Sequence, residues 1–253
     1  MGVGLLIIGD EILSGRRKDV HLARSIELLS ARGLRLGWAR YLADDRDGLS
    51  AVLRETLAGG DIVFSFGGIG ATPDDHTRQA AAAARGVPTV LHPEAAKLID
   101  AQMQARWGQP ATPQQLAMGE FPQGAALIPN PVNRIPGFSL GDHHFVPGFP
   151  QMAHPMVEWV LDTHYAHLHH REDWVEAALR VYEAPESALV DLMLALEQRH
   201  GVTVFSLPHL GSDTTRRHIE LGAKGRADAV AAAMAEMREA LSQRGYPVEA
   251  LTG

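Results

Sequence analysis

The segment that decides the fold spans residues 61–77 and reads Asp-Ile-Val-Phe-Ser-Phe-Gly-Gly-Ile-Gly-Ala-Thr-Pro-Asp-Asp-His-Thr. Its apolar run Ile62–Phe66 is typical of a strand that is buried on both faces. Three glycines follow within four residues: Gly67, Gly68 and Gly70. Because glycine allows backbone conformations and close approaches that other residues do not, the segment predicts a strand that ends in a ligand-facing loop.

The same segment then carries the pattern of a helix start. Thr72 is a good N-cap residue and Pro73 a good first helical residue, which predicts a helix from there to Ala84. Asp74 and Asp75 in the first turn would complement the helix dipole, so capping alone explains these four residues but not the glycines before them. A phosphate is attracted to a helix N-terminus and repelled by two carboxylates. Loop and acids together therefore favour a divalent cation between the carboxylates and phosphate oxygens.

Strand and helix patterns alternate on both sides of this segment. The predicted strands are Val3–Ile8, Leu34–Leu42, Ile62–Phe66, Val87–Leu91, Ala125–Ile128 and His144–Val146. The predicted helices cover residues 19–33, 49–58, 72–84, 93–107 and 152–167. This alternation predicts an α/β domain over residues 1–169, with a parallel or mixed sheet that helices cover on both sides to give three layers.

The pattern starts again in residues 170–253. The predicted elements are a strand at Trp174–Tyr182, a helix at Pro185–His200, strands at Val202–Leu207 and Thr215–Leu221, and a helix at Ala227–Arg244. This βαββα order predicts a second, small α+β domain.

Acidic residues follow two of the predicted strands of the first domain. Asp10 and Glu11 come after the first strand, and Asp44 comes after the second. In a parallel sheet, ligands bind beyond the carboxyl ends of the strands, where these acids would meet the glycine loop. The alternatives are a solvated strand end for Asp10 and Glu11, and a helix cap for Asp45 or Asp47.

Composition narrows the function classes. The chain of 253 residues is 45 % hydrophobic and 21 % charged, carries a net charge of −7 and contains no cysteine. These values argue against an electrostatic nucleic-acid or membrane-surface partner, and exclude disulfides and thiolate chemistry. The N-terminus has acidic residues after only a short apolar run, and no stretch approaches the ~20 apolar residues that cross a bilayer. We therefore expect a cytoplasmic protein.

Other polar residues are weaker candidates. Asn130 and Asn133 could hydrogen-bond a ligand, as could the loop at Pro147 and Gly148, but loop punctuation explains these residues equally well. The histidines at 143, 144, 164, 167, 169 and 170 have no carboxylate in helical register nearby, so we predict that they do not form a metal site.

Taken together, these segments resemble the molybdopterin-binding family of molybdenum-cofactor biosynthesis proteins, in particular the N-terminal part of the competence/damage-inducible A proteins. The matching pieces are Gly9-Asp10-Glu11-Ile12-Leu13-Ser14-Gly15, Asp19, Asp44-Asp45, Gly67–Thr77, Asn130-Pro131 with Pro136-Gly137, and Pro147-Gly148 with Pro150. The second domain is similar to the KH-like domain of those relatives, but residues 208–211 do not form the Gly-x-x-Gly clamp that binds nucleic acid. Their nicotinamide-nucleotide deamidase domain would lie beyond Gly253, so we do not expect that activity here.

The resemblance implies a pocket for a phosphorylated pterin or an adenine nucleotide, with a divalent cation such as Mg²⁺. The glycines at 67, 68 and 70, with Thr72, would contact phosphates. Asp44 and Asp75 match acidic positions at which relatives place a metal ion, with Asp74 beside them, and Asp10 and Glu11 match a pair at the pocket rim. Asn130, Asn133, Pro147 and Gly148 would complete the pocket.

Family members include pterin adenylyltransferases, molybdate-insertion proteins and metal-dependent hydrolases of ADP-ribose. The resemblance therefore implies a reaction that forms or cleaves a pyrophosphate bond, with Asp44 and Asp75 as the catalytic residues, in a homo-oligomer. The chain departs from the family pattern at the pocket edge, with His21 for an asparagine, Ala71 for a proline, Met152 for a glutamate and Asn133-Arg134 for two small residues. These departures favour the alternative of a pterin- or nucleotide-binding protein without turnover.

Overall fold

The computed structural model describes residues 2–170, 174–211 and 216–251. The backbone divides into two compact units, Met1–His169 and His170–Gly253. That each unit folds independently, as the predicted two-domain division implies, stays a prediction.

The first unit alternates strands and helices. Its elements are β1 (Val3–Ile8), α1 (Asp10–Leu13), α2 (His21–Ser30), β2 (Trp38–Leu42), α3 (Arg46–Ala58), β3 (Ile62–Phe66), α4 (Thr77–Arg85), β4 (Thr89–Leu91), α5 (Pro93–Trp107), α6 (Pro113–Leu116), β5 (Glu120–Pro122), β6 (Ala126–Ile128), β7 (Gly137–Leu140), β8 (His143–Val146) and α7 (Pro150–His164). Within residues 2–170, six of these strands form one sheet in the order β2-β1-β3-β8-β7-β6. The first four run parallel, and β7 and β6 add antiparallel pairs.

Helices cover both faces of this sheet because its central strands are apolar on both sides. In β1, Leu5 and Ile7 pack with α2 and α7 on one face, while Leu6 and Ile8 pack with α3, α4 and α5 on the other. A fully apolar strand cannot leave either face in water, so the run Val3–Ile8 requires a layer on each side. The predicted three-layer α/β class is confirmed.

The topology brings the candidate loops to one edge of the sheet. The parallel strands β2, β1, β3 and β8 end there, and the loop between β6 and β7 returns to the same edge because β7 runs against β8. Neighbouring strands are about 4.8 Å apart, so the ends of β2 and β7 are separated by about 19 Å. The edge is therefore long enough for a ligand of several linked groups, but its two ends cannot touch one small group.

Several predicted boundaries differ from the structure. The second strand begins at Trp38 rather than at Leu34, and β4 pairs only with β5 in a separate two-stranded sheet. The strand β7, predicted as a loop, pairs with both of its neighbours. The helix predicted from Thr72 begins at Thr77, because residues 72–75 form a turn of their own.

The start of helix α3 distinguishes between the two predicted cap residues, Asp45 and Asp47. The side chain of Asp45 is the N-cap, and its Oδ2 accepts a hydrogen bond from the backbone nitrogen of Gly48 at 2.7 Å. We expect Asp45→Ala to lower the free energy of unfolding by about 1 kcal/mol, measured by urea denaturation, because one helical N–H loses its acceptor. Asp45→Asn keeps an acceptor and should cost much less. Equal losses in the two variants would contradict the capping role.

The second unit is an antiparallel sheet with two helices on one face. Its elements are β9 (Trp174–Tyr182), α8 (Val190–His200), β10 (Thr203–His209), β11 (His218–Arg226), α9 (Ala227–Gln243) and β12 (Val248–Ala250). In the described part of this unit the sheet order is β10-β11-β9-β12. The βαββα order is confirmed, with β12 as an added strand. The helix α8 starts later than predicted, after a 3-10 turn at Glu186–Ala188. Thr215, the first residue of the predicted strand Thr215–Leu221, lies outside the described residues.

The helices α8 and α9 cover only one face of this sheet. Ile219, Leu221 and Ala223 of β11 point into a core with residues of these two helices. The alternate residues His218, Glu220 and Gly222 therefore lie on the opposite face. No helix in the described parts of the chain is long and apolar enough to cross a membrane.

Candidate functional site

The carboxylates of Asp10 and Asp44 lie side by side at the ends of β1 and β2. The backbone nitrogen of Asp10 donates to Asp44 Oδ2 at 3.0 Å, and the backbone nitrogen of Asp44 donates to Asp10 Oδ1 at 3.3 Å. Partial burial raises the pKa of the Asp44 carboxyl, and the negative charges of Asp10, Glu11 and Asp74 raise it further. Negative charge is therefore concentrated at this end of the edge, where a cation would relieve the repulsion.

The glycine loop is shaped first by the protein's own packing. Gly67 has φ +100°, and a Cβ on it would lie 2.5 Å from the carbonyl oxygen of Ile8. Gly68 has φ +68°, and a Cβ there would lie 2.1 Å from Thr77 Oγ1. On Gly70 a Cβ would lie 2.6 Å from Asp75 Oδ2. Internal contacts thus account for each of the three glycines, so their number is not by itself a sign of a ligand.

Asp75 holds the loop closed rather than standing at a helix start. Its Oδ2 accepts hydrogen bonds from the backbone nitrogen of Thr72 at 2.7 Å and from Thr72 Oγ1 at 2.5 Å. Burial lowers the pKa of the Arg78 guanidinium, and the negative charge of Asp75 partly offsets this. One oxygen of the predicted catalytic carboxylate is thus engaged within the loop.

The predicted three-carboxylate metal site is not preformed. Across residues 2–170, the carboxylate oxygens of Asp44, Asp74 and Asp75 do not all come within 4.8 Å of one another. The physical reason is local bonding: Asp44 is turned to the backbone of Asp10, and Asp75 is turned to Thr72. Asp74 stays exposed and contributes charge near Asp44.

A cavity of about 310 Å³ lies beyond the carboxyl ends of β1 and β3. Its lining combines apolar, basic and loop residues: Ile7, Ile8, Glu11, Ile12, Arg17, Lys18, Val20, His21, Phe66, Gly148, Phe149, Pro150 and Gln151. The predicted residues Glu11 and Gly148 are brought together here, and Gly148 packs against the Cα of Gly67. Arg17 and Lys18 were not predicted, since no motif marks them. A positive pair beside an apolar cavity suits a ligand with a ring and a phosphate.

His21 is a buried polar side chain of this cavity. It is 5 % exposed, stacks on Phe66 with ring centres 4.5 Å apart, and has its Nε2 3.2 Å from the carbonyl oxygen of Gly148. Burial lowers the pKa of this imidazole, which favours the neutral form. A carbonyl oxygen only accepts, so Nε2 carries the proton and Nδ1 offers a lone pair. That Nδ1 is buried without a hydrogen-bond partner among the described residues.

Asn130 and Asn133 lie at the far end of the edge, in the loop between β6 and β7. Asn130 is buried, and its Oδ1 accepts from the backbone nitrogen of Val132 at 3.0 Å. Asn133 Nδ2 lies 3.5 Å from the sulfur of Met152. These contacts hold the loop, as its interpretation as loop punctuation expects. Of the side-chain polar atoms of Asn130 and Asn133, the amide nitrogen of Asn130 is buried without a partner in the part of the chain that the structure describes.

The comparisons with known proteins agree with this architecture. Residues 4–167 match the family described as "Probable molybdopterin binding domain". This match covers more than half of the chain, so the chain belongs to the molybdopterin-binding family. The resemblance drawn from the sequence motifs is confirmed.

Similar proteins include a CinA-like protein of Anaeromyxobacter dehalogenans, 34 % identical over 74 % of this chain and 46 % of the relative, and a CinA-like protein of Citrifermentans bemidjiense, 33 % identical over 76 % of this chain and 47 % of the relative. The chain thus spans about half the length of the curated relatives it matches. A solved structure of CinA, of unknown function, from Thermoplasma acidophilum is 27 % identical, has a TM-score of 0.57, and is matched over 64 % of this chain and 98 % of that one.

Proposed function

We propose that this chain binds a phosphorylated pterin or an adenine nucleotide in the cavity beyond β1 and β3, with a divalent cation at Asp10 and Asp44. The observation that carries the proposal is a cavity that sets the stacked rings of His21 and Phe66 beside the cations Arg17 and Lys18. The rings suit a flat ligand ring, and the two cations suit a phosphate.

The acidic end of the edge supports the cation. Partial burial, with the negative charges of Asp10, Glu11 and Asp74, raises the pKa of Asp44, and hard oxygen donors are what Mg²⁺ prefers. We propose that phosphate oxygens complete the coordination that the carboxylates do not form alone. Gly68, Gly70 and Thr72 would then border the phosphate, and the loop of Asn130 and Asn133 would meet only a ligand that extends along the edge.

Ligand binding is tested by calorimetry with AMP, ADP-ribose and a pterin phosphate, each with Mg²⁺. We expect Arg17→Ala and Lys18→Ala each to weaken binding by about 10- to 100-fold, since each removes a charge-assisted contact of about 1.5–3 kcal/mol. Arg16→Ala is the matched control, because Arg16 Nε donates to Ser14 Oγ at 3.2 Å. An Arg16→Ala loss equal to that of Arg17→Ala, or no binding by the unsubstituted chain, would contradict the proposed cavity.

Two versions of this function differ in turnover. In the enzymatic version the bound pyrophosphate is cleaved or formed, with Asp44 and Asp75 as the acidic groups; in the other version the ligand is held unchanged. The first version is supported if the chain releases AMP from ADP-ribose in the presence of Mg²⁺ and Asp44→Asn abolishes this release. Tight binding without product supports the second. The homo-oligomeric state implied by the resemblance and the cytoplasmic location expected from the composition stay part of this proposal. Light scattering measures the oligomeric state.

A further inference from the structure

We propose that the second unit holds a transition-metal ion of the Zn²⁺ class on the helix-free face of its sheet, with His209, His218 and Glu220 as ligands. In the described parts of the chain, this is the group of three histidine, aspartate or glutamate side chains whose ligand atoms all lie within 4.8 Å of one another. The proposal does not depend on the cavity of the first unit, since none of its residues lies there.

The strand register places the three side chains together. His209 of β10 pairs directly with His218 of β11, and Glu220 lies two residues further along β11 on the same face. His209 Nε2 lies 3.6 Å from Glu220 Oε1, and His218 Nε2 lies 3.9 Å from the same oxygen. A tetrahedral zinc ion with ligands at about 2.0–2.2 Å requires its ligand atoms to be about 3.3–3.6 Å apart. The two imidazole rings stack with their centres 4.6 Å apart and their planes 11° from parallel, so they would have to rotate to direct both lone pairs at one ion.

The tautomer of His218 is fixed in the form that a metal needs. Its Nδ1 lies 2.8 Å from the backbone carbonyl oxygen of Arg216. Because that oxygen can only accept, Nδ1 carries the proton and the neutral ring presents its lone pair at Nε2, toward Glu220. A second hydrogen bond of this kind is the usual support of a metal-binding histidine. His218 is also buried, while His209 is exposed enough to adjust.

The surroundings permit access and do not oppose the ion strongly. His209 and His218 line a cavity of about 570 Å³, which leaves a path for a metal and for a fourth ligand. Two of the surrounding cations have partners of their own: Arg216 pairs with Glu183 and stacks over the Tyr182 ring, and Arg180 lies 4.0 Å from Glu249. A third cation, Arg217, lines the same cavity. Two imidazoles and one carboxylate favour Zn²⁺, Co²⁺ or Ni²⁺, whereas Mg²⁺ prefers oxygen ligands only.

The test uses the full chain after removal of metal by a chelator. Equilibrium dialysis should show one bound Zn²⁺ per chain, and Co²⁺ bound in its place should give the visible absorption of a tetrahedral site. His209→Ala and Glu220→Gln should each weaken Zn²⁺ binding by more than about 100-fold, since even changes to the outer partners of a metal site cost about 10- to 100-fold. Both side chains are at least partly exposed, so the fold should survive, as circular dichroism will check.

His167→Ala is the matched control, because His167 is an exposed histidine of the other unit. It should leave Zn²⁺ binding unchanged. The proposal is overturned if the unsubstituted chain binds no Zn²⁺ at micromolar concentration, if His209→Ala and Glu220→Gln bind as well as it does, or if His167→Ala alone removes the ion. In those cases the three side chains form a hydrogen-bonding and stacking group without metal.

Discussion

Lowering the pH from 6.5 to 5 should destabilise the first unit by about 3 kcal/mol, through two buried histidines. Burial lowers the pKa of His143 to about 4 and that of His144 to about 3, and neighbouring histidines lower His144 further. Both rings stay neutral in the folded state throughout this range. In the unfolded chain a histidine titrates near 6.5, so in this pH range the unfolded state binds protons that the folded state does not bind.

The sign of the effect follows from these lowered values. The stability is fully present above pH 6.5 and is lost as the pH falls toward the folded-state pKa values, by about 1.4 kcal/mol per pH unit for each histidine. Burial also lowers the pKa values of His21 and His154, which adds to the loss with the same sign. Exposed carboxylates titrate near 4 and contribute little above pH 5.

The hydrogen bonds of the two rings are ones that a neutral imidazole can make. His143 Nε2 lies 2.9 Å from Thr56 Oγ1. His144 bridges Ser139 Oγ at 2.8 Å and the hydroxyl of Tyr165 at 2.7 Å, and that hydroxyl donates to Asp142. A hydroxyl group can either accept or donate a hydrogen bond, so it can partner a neutral imidazole. In these hydrogen bonds neither ring has a carboxylate as its direct partner.

Urea denaturation at a series of pH values measures this dependence. His143→Gln keeps a polar group near Thr56 and should reduce the slope by about one proton, even if the variant is less stable overall. His167→Gln, at an exposed position, should leave the slope unchanged. A stability that stays level between pH 6.5 and 5 in the unsubstituted chain would show that both rings accept protons without unfolding.

The layers of the fold were predictable because they follow from apolar periodicity. The runs Val3–Ile8 and Ile62–Phe66 have no polar face, and only a strand between two layers can bury such a run. The turn at Thr72–Asp75 was not predictable, because the same four residues satisfy a helix start equally well. The structure prefers the turn, in which the Asp75 carboxylate bonds Thr72 within the loop.

The polar lining of the cavity could not be read from the sequence for a different reason. Arg17 and Lys18 carry no motif, and the sequence marked His21 only as a departure from the family pattern. The packing of α2 against the β8–α7 loop brings His21 to the carbonyl of Gly148. The group of His209 and His218 depends on a strand register that propensity does not specify. A signal existed, since His218 and Glu220 alternate on one strand, but the predicted partner strand ended at Leu207, before His209.

The second large effect concerns Gly67, where alanine should cost about 2–6 kcal/mol of unfolding free energy. The residue has φ +100°, which a residue with a Cβ adopts only under strain of about 1–3 kcal/mol. Its Cβ would also lie 2.5 Å from the carbonyl oxygen of Ile8, a backbone atom that cannot rotate away, and overpacking of this kind costs about 1–3 kcal/mol. On its other side Gly67 packs against Gly148.

Gly108→Ala separates the two contributions. Gly108 also has a positive φ, +68°, but a Cβ there meets nothing within 4 Å, so this variant should show the conformational strain alone. Urea denaturation should therefore rank Gly67→Ala well below Gly108→Ala in stability. Equal losses would mean that β1 and the glycine loop move apart at little cost. The ranking bears on the site as well, because the contacts of Gly67 with Ile8 and Gly148 hold together the ends of β1, β3 and β8 that frame the cavity.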